Sequence, residues 1–235
     1  MGKNGSDSET SGPMRNLPPA SEEELLVRAR SIAGLTLVEL AGSLGIPCPA
    51  DMLHDKGWSG QLLEAWLGAS AASLPEPDFP QLGIELKTLP VDGEGRPLES
   101  TYVCTVDLQP GTGDWQSSVV WKKLRKVLWL PLIARRGVAP GERRIGNALL
   151  WSPNEEQAAI LQRDWEELME LVGQGELEQL SSRQGRYLQI RPKAANARAL
   201  TATTDAEGNP ALTLPRGFYL RPALTRQILE EQYHL

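Results

Sequence analysis

At 235 residues, 40% hydrophobic and 23% charged, the chain is long enough to bury a sizeable core and has an ordinary globular composition. No apolar run reaches the length of a membrane span, and the N-terminus lacks the charged-then-apolar pattern of an export signal, so a cytoplasmic protein is expected. Two cysteines (Cys48 and Cys104) and two histidines (His54 and His234) give poor support to a zinc site or a histidine-based triad, and the thiols read as reduced.

A net charge of −6 argues against a protein that grips nucleic acid over its whole surface, but the charge is unevenly spread. Val120 to Ile145 carries eight Lys or Arg and one Glu, and Ser181 to Arg221 carries seven Lys or Arg and two acidic residues. Between them, Ser152 to Leu180 holds eight acidic residues and one Arg. This pattern fits one cationic groove with an acidic back.

Residues 1–20 are rich in Gly, Ser, Asn and Pro and read as a disordered tail. Ser21-Glu22-Glu23-Glu24 is a capping-box start for a helix through about Ala33, and Thr36-Leu37-Val38-Glu39 starts a second. Trp58 to Gly68 reads as a helix with Leu62, Leu63, Trp66 and Leu67 in an apolar stripe and Glu64 beside it. A strand from Gly83 to Pro90 and another from Ser100 to about Leu108 look like a hairpin across a Gly/Pro-rich turn. The basic cluster Trp121 to Lys126 runs into an apolar strand, Val127 to Ile133, and a further strand covers Arg143 to Trp151. At Ser152-Pro153-Asn154-Glu155, Ser as cap, Pro at the first helical position and Glu closing the box predict a helix to about Val172, stopped by Gly173. Extended segments follow at Arg186 to Arg191 and Leu212 to Leu220, with helices at Ala194 to Leu200 and Pro222 to His234. Mixed strands and helices give an α/β or α+β fold with a mixed sheet. Two lobes are expected, about 21–115 with the metal site and about 116–235 with the basic recognition segments, around a cleft.

The chemistry-bearing segment is Pro77-Asp-Phe-Pro-Gln-Leu-Gly-Ile-Glu-Leu-Lys87. In an extended strand Glu85 and Lys87 point to one face while Ile84 and Leu86 point to the other, the apolar one. Asp78, on a loop fixed by Pro75, Pro77 and Pro80, adds a second hard oxygen ligand. Two carboxylates with an ammionium beside them are the minimum for holding Mg²⁺ against a phosphodiester, and Lys87 would hold the attacking water or offset charge at phosphorus. Glu64 is a candidate further acidic contact, and Lys123 a candidate phosphate contact from the basic cluster.

Six segments carry a resemblance that covers about Ser21 to the C-terminus. They are Asp55-Lys-Gly-Trp-Ser-Gly, Leu63-Glu-Ala-Trp-Leu-Gly-Ala-Ser, Leu82-Gly-Ile-Glu-Leu-Lys-Thr, Leu149-Leu-Trp-Ser-Pro-Asn-Glu-Glu, Tyr187-Leu-Gln-Ile-Arg-Pro-Lys-Ala-Ala-Asn-Ala and Thr213-Leu-Pro-Arg-Gly-Phe-Tyr-Leu. Together they resemble the MutH family, the strand-discriminating endonucleases of bacterial methyl-directed mismatch repair. The resemblance implies a restriction-endonuclease-like fold with two arms around a DNA cleft. It implies Mg²⁺-dependent nicking of the unmethylated strand at hemimethylated GATC, before the G, with Mn²⁺ as a substitute ion. Activation by the MutL ATPase, after MutS has found a mismatch, and a monomeric enzyme are also expected. By the same resemblance Asp78, Glu85 and Lys87 match the catalytic motif, Glu64 an acidic residue near the metal and Lys123 an active-site lysine. Lys56, Arg191, Lys193 and Tyr219 match DNA-facing positions, and Tyr102 stands where an aromatic is expected near the DNA. A stand-alone GATC restriction enzyme and a non-catalytic DNA-binding subunit are the competing readings.

Overall fold

A computed structural model describes residues 15–49, 57–71, 74–109, 113–135, 137–180, 184–193 and 200–233. Lys56, His54, His234 and all but Leu200 of the helix expected at Ala194 to Leu200 lie outside these residues. The architecture is α/β, as the alternation of strand and helix signals predicts.

Three helices open the chain: α1 (Glu22–Ser31), α2 (Leu37–Leu44) and α3 (Trp58–Leu67). The predicted caps are present, Ser21 accepting from the Glu24 amide and Thr36 forming a reciprocal capping box with Glu39. Strand β1 (Glu85–Val91) pairs in parallel with β3 (Val127–Ile133). Between them in sequence lie β2 (Thr101–Thr105) and the short helix α4 (Val119–Leu124), which supply the long crossover that parallel neighbours require. β4 (Arg144–Ile145) and β5 (Leu149–Trp151) complete a four-stranded sheet, both antiparallel to β3. Helix α5 (Glu155–Gly173) leads to β6 (Leu188–Pro192), the hairpin of β7 (Thr201–Thr204) and β8 (Pro210–Thr213), β9 (Arg216–Leu220) and α6 (Pro222–Tyr233). β2, β9 and β6 form a second, antiparallel sheet with β9 in the centre.

Strand alternation divides the core. Ile84 and Leu86 of β1's face join Leu128, Leu130 and Leu132 of β3 against α1, α2 and α3. Leu89 and Val91 join Val127 and Trp129 on the other face, against the second sheet, α5 and α6. The four-stranded sheet is thus covered on both sides, which makes its strands nearly continuous in apolar residues, Val127–Ile133 above all. The division at about residue 115 runs through both sheets, because β1 pairs with β3 and β2 with β9.

Several boundaries differ from the sequence expectation for identifiable reasons. The hairpin between the first two strands does not form: the chain turns tightly at Asp92–Arg96, touches β1 again only at Pro97 and Leu98, and then leaves for β9. Alternation identifies both strands but carries no information about their partner. The single strand expected over Arg143 to Trp151 is two, because the ladder breaks near Pro131 of β3, which has no N–H to give; Gly146 donates to the Pro131 carbonyl at 2.7 Å in the gap. Leu212 to Leu220 likewise splits at Leu214-Pro215 into β8 and β9, which enter different sheets. The cap of α5 is Asn154, not Ser152, with Gln157 closing the box (2.8 and 3.1 Å), and Pro153 precedes the cap, holding Ser152 extended. Residues 15–20, read as the end of a disordered tail, run along α1 and α3: Asn16 donates to the Ala65 carbonyl at 3.0 Å and the Leu17 carbonyl accepts from Arg28 at 2.6 Å.

The acidic helix is not only a solvated face. Asp164 of α5 is buried and accepts three backbone N–H groups at the start of β6, from Arg186 (2.9 Å), Tyr187 (2.6 Å) and Leu188 (2.9 Å). Gly185, with φ +74, lets the chain come this close. Asp164→Asn would turn an amide donor toward those donors, so it is expected to destabilise the fold by on the order of 2 kcal/mol, read from urea or thermal unfolding.

Candidate active site

Asp78 reaches the strand through a short backbone ladder. Phe79 and Ile84 exchange hydrogen bonds at 2.9 and 3.3 Å across a turn in which Gly83 has φ 65, so the chain folds back on itself. Asp78 then lies beside the start of β1, and its Oδ2 accepts the Leu86 amide at 2.9 Å. Its own carbonyl accepts the amides of Ser70 and Ala71 at 3.0 and 3.4 Å. The seven-residue spacing from Asp78 to Glu85 is what such a folded-back segment needs.

Glu85 begins β1, its amide donating to the Lys126 carbonyl at 3.0 Å. Its side chain is 2% exposed and lies between two lysines that are each 13% exposed. Lys87, one pleat along, donates to Oε1 at 2.6 Å. Lys123, from the last turn of α4, donates to Oε1 at 3.0 Å and to Oε2 at 2.9 Å. The face opposite Ile84 and Leu86 is therefore a closed polar site, roofed by Lys123 of α4. A carboxylate this deeply buried requires such cations, since an unpaired one would cost several kcal/mol.

Two more carboxylates feel this charge. Burial, and then the charge of Glu85, raise Asp78 from its ordinary 3.8 to about 6. Burial raises Glu64 of α3 as well, with Glu85 adding to the rise and the nearby cations opposing it. Glu64 and Lys87 line a cavity of about 650 Å³ together with Arg191 and Tyr219. Glu85, Lys87, Lys123 and Lys193 line an adjoining one of about 480 Å³. Among the described residues no three acidic, histidine or cysteine side chains converge as a closed metal cage. The donor set fits a hard divalent ion nonetheless, since Mg²⁺ takes one or two carboxylates and completes its shell with water and phosphate. Asp78's reluctance to ionise marks a place where an added cation would be stabilising.

The second sheet puts Val103, Phe218, Leu220, Leu188 and Ile190 into the core and turns a polar, aromatic face toward the same cavities. Tyr102, Tyr219 and Gln189 lie in one row across β2, β9 and β6. The tyrosine rings meet edge to face at 5.4 Å. The Lys193 ammonium sits 4.4 Å from the Tyr102 ring centre and donates to its hydroxyl at 2.7 Å, and the Arg191 guanidinium lies 5.6 Å from the Tyr219 ring centre. Arg191, Lys193 and Tyr219 are thus brought together beside Lys87. Sequence reading missed Ser100, Thr105 and Gln189, which hold this face: Gln189 donates to Ser100 at 3.0 Å and Lys193 to Thr105 at 3.2 Å. The alternation Leu188-Gln189-Ile190-Arg191 carried a signal for Gln189; nothing local pointed to the other two.

The basic stretch from Val120 to Ile145 does not act as one groove. Lys123 enters the site, Lys126 pairs with Glu22, Arg125 packs against Gly83, and Arg144 donates to the Gly34 carbonyl at 2.7 Å.

A family model described as "DNA mismatch repair enzyme MutH" matches residues 67–164, the span that holds Asp78, Glu85, Lys87 and Lys123. The chain is 53% identical over 219 residues to the DNA mismatch repair protein MutH of Salmonella paratyphi B, covering 93% of this chain and 95% of that protein. Identity and coverage are the same for the proteins of that name from Salmonella newport and Salmonella typhimurium.

The raised Asp78 makes a prediction about the protein free of divalent ions. Because the folded state holds this proton more tightly than the unfolded chain, the group's stabilisation is full below pH 3.8 and is lost as the pH rises through about 6. Asp78→Asn removes that loss while keeping an acceptor for the Leu86 amide. In a chelator at neutral pH the variant is expected to be more stable than the parent by on the order of 2 kcal/mol, the gap closing toward pH 4. Denaturant titrations at the two pH values check this.

Proposed function

This chain belongs to the MutH family of DNA mismatch repair enzymes, and on that premise we propose that it is the endonuclease that nicks the unmethylated strand of hemimethylated GATC sites, before the G. One observation carries the proposal. Glu85 lies buried between Lys87 and Lys123, with Asp78 anchored beside it, next to a face bearing two tyrosines and two cations.

In this reading Asp78 and Glu85 would hold Mg²⁺, or Mn²⁺ in its place, with Glu64 contributing from α3. The ion's chemistry is charge neutralisation at the phosphate and a lowered proton affinity of its water. Lys87, ion-paired with Glu85 at 2.6 Å, enters as a donor rather than as a proton acceptor. It orients the attacking water and opposes the charge that grows on the phosphoryl oxygens as the new P–O bond forms and the bond to the leaving oxygen breaks. Lys123, which gives both its contacts to Glu85, exchanges one of them for a phosphate oxygen when DNA enters. DNA lies between the layer built on the four-stranded sheet and the face of the second sheet, the two forming the arms of the cleft. There Arg191 or Lys193 reads guanine O6 and N7 in the major groove, and Lys56 contacts the DNA from its own loop. Tyr219 excludes the adenine N6-methyl group by bulk on the strand to be cut.

A protein of net charge −6 has few cations to spend on phosphates, so free binding to DNA is weak and strongly salt-dependent. This supports delivery of the enzyme to its site by MutL after MutS has acted, and we take the enzyme to be cytoplasmic and monomeric. Among the described residues no helix is long and apolar enough to cross a membrane.

The decisive assay uses supercoiled plasmid with unmethylated, hemimethylated or fully methylated GATC sites, with and without MutL. Nicked circles from unmethylated and hemimethylated DNA, none from fully methylated DNA, and loss of all activity in a chelator or in Lys87→Ala by at least about 100-fold are expected. Linear product without MutL would identify a stand-alone restriction enzyme, and activity untouched by Lys87→Ala would remove the assigned site. Stimulation by MutL is expected to grow with salt; equal stimulation at every ionic strength would point to an opening of the cleft instead of recruitment.

A further inference from the structure

The centre of the recognition face holds a residue with no side chain. Gly217 lies in β9 between Thr105 of β2 and Arg191 of β6, two positions before Tyr219 and on the same face. Its backbone is ordinary extended strand without a positive φ, so the conformation itself is open to any residue. Glycine weakens a strand interior and marks a close approach of some other group, and here the approach is visible. A Cβ at this position would lie 2.9 Å from Tyr102 Cε2, 3.1 Å from Tyr219 Cε2 and 3.3 Å from Tyr102 Cδ2. Both rings lean over the space that a side chain would fill.

Those rings are also the seats of the two cations. Lys193 rests on Tyr102 and bonds its hydroxyl, and Arg191 stacks over Tyr219. Whatever lifts the rings therefore moves both cations away from the sheet. We infer that Gly217 is a positioning residue of the recognition face: its missing side chain lets the tyrosine pair lie low, and the pair in turn sets the height at which Arg191 and Lys193 meet the edges of the bases. Gly217 touches no DNA itself. The inference rests on the proposed reading of this face as the one that recognises the GATC site.

The test measures binding of the full chain to two labelled duplexes, one with a hemimethylated GATC site and one with that site scrambled, and takes the ratio of the affinities. Gly217→Ala is expected to lower the ratio about tenfold, the worth of roughly one base contact, while binding to the scrambled duplex stays within about twofold. Tyr102→Ala removes the nearest ring atoms and leaves Tyr219 room to shift. In that background Gly217→Ala is expected to fold and to change the ratio by less than about twofold. A single variant with the parent's ratio overturns the inference, as does a further tenfold drop or loss of folding in the Tyr102→Ala background. Tyr219→Ala separates the two levels. If it lowers the ratio and Gly217→Ala does not, only the role of Gly217 falls; if neither lowers it, the reading of the face falls as well.

Discussion

A carboxylate with almost no access to water must be neutralised, and Glu85 is neutralised by two lysines from different elements. This constraint ties the site together. Lys87 arrives by strand periodicity, but Lys123 arrives only because α4, packed against β2, ends the crossover that makes β1 and β3 parallel neighbours. The buried charge thus holds α4 in place, and α4 roofs the site. Removing either lysine would leave Glu85 short of a partner, a larger penalty than the pair's net contribution to stability.

The same arrangement explains how one small protein keeps hydrolytic chemistry and sequence reading within reach of each other. The four-stranded sheet is packed on both faces, and the Glu85–Lys87 pair interrupts the apolar lining of its second face at the beginning of β1. The second sheet is packed on one face only, and its free face carries the tyrosines and cations. Lys87 and Tyr102 line both adjoining cavities, so on the proposed reading the two functions would share a wall. Three cations of the first basic stretch, Lys123, Lys126 and Arg144, are held by intramolecular partners.

Electrostatics within the site are graded. Glu85 has its lysines, whereas burial and the neighbouring negative charge disfavour ionisation of Asp78 and Glu64. Such unequal environments for neighbouring carboxyl groups are common where a cation is to be bound. They also mean that the folded, ion-free protein carries a cost that a divalent ion would relieve.

Much of this was legible in the residues themselves. Capping boxes located α1 and α2, the apolar run located β3, and period-two alternation placed Glu85 and Lys87 on one face. These are consequences of local backbone geometry, which the sequence states directly. The Asp78–Glu85 spacing was legible too, because a folded-back segment with a glycine turn is local. The partner of each strand was not legible: β2 left its neighbour for β9, and alternation is silent about which edge a strand will find. Nor could composition separate Lys123, aimed at Glu85, from Lys126, which pairs with Glu22 on the opposite side of the sheet. Burial of Asp164 inside an acidic helix, and the gap at Gly217 beneath two tyrosines, also belong to tertiary structure alone. Local conformation follows from each residue's own sterics and hydrogen bonds, but a charge's partner is set by segments far apart in the chain that meet only when the layers pack.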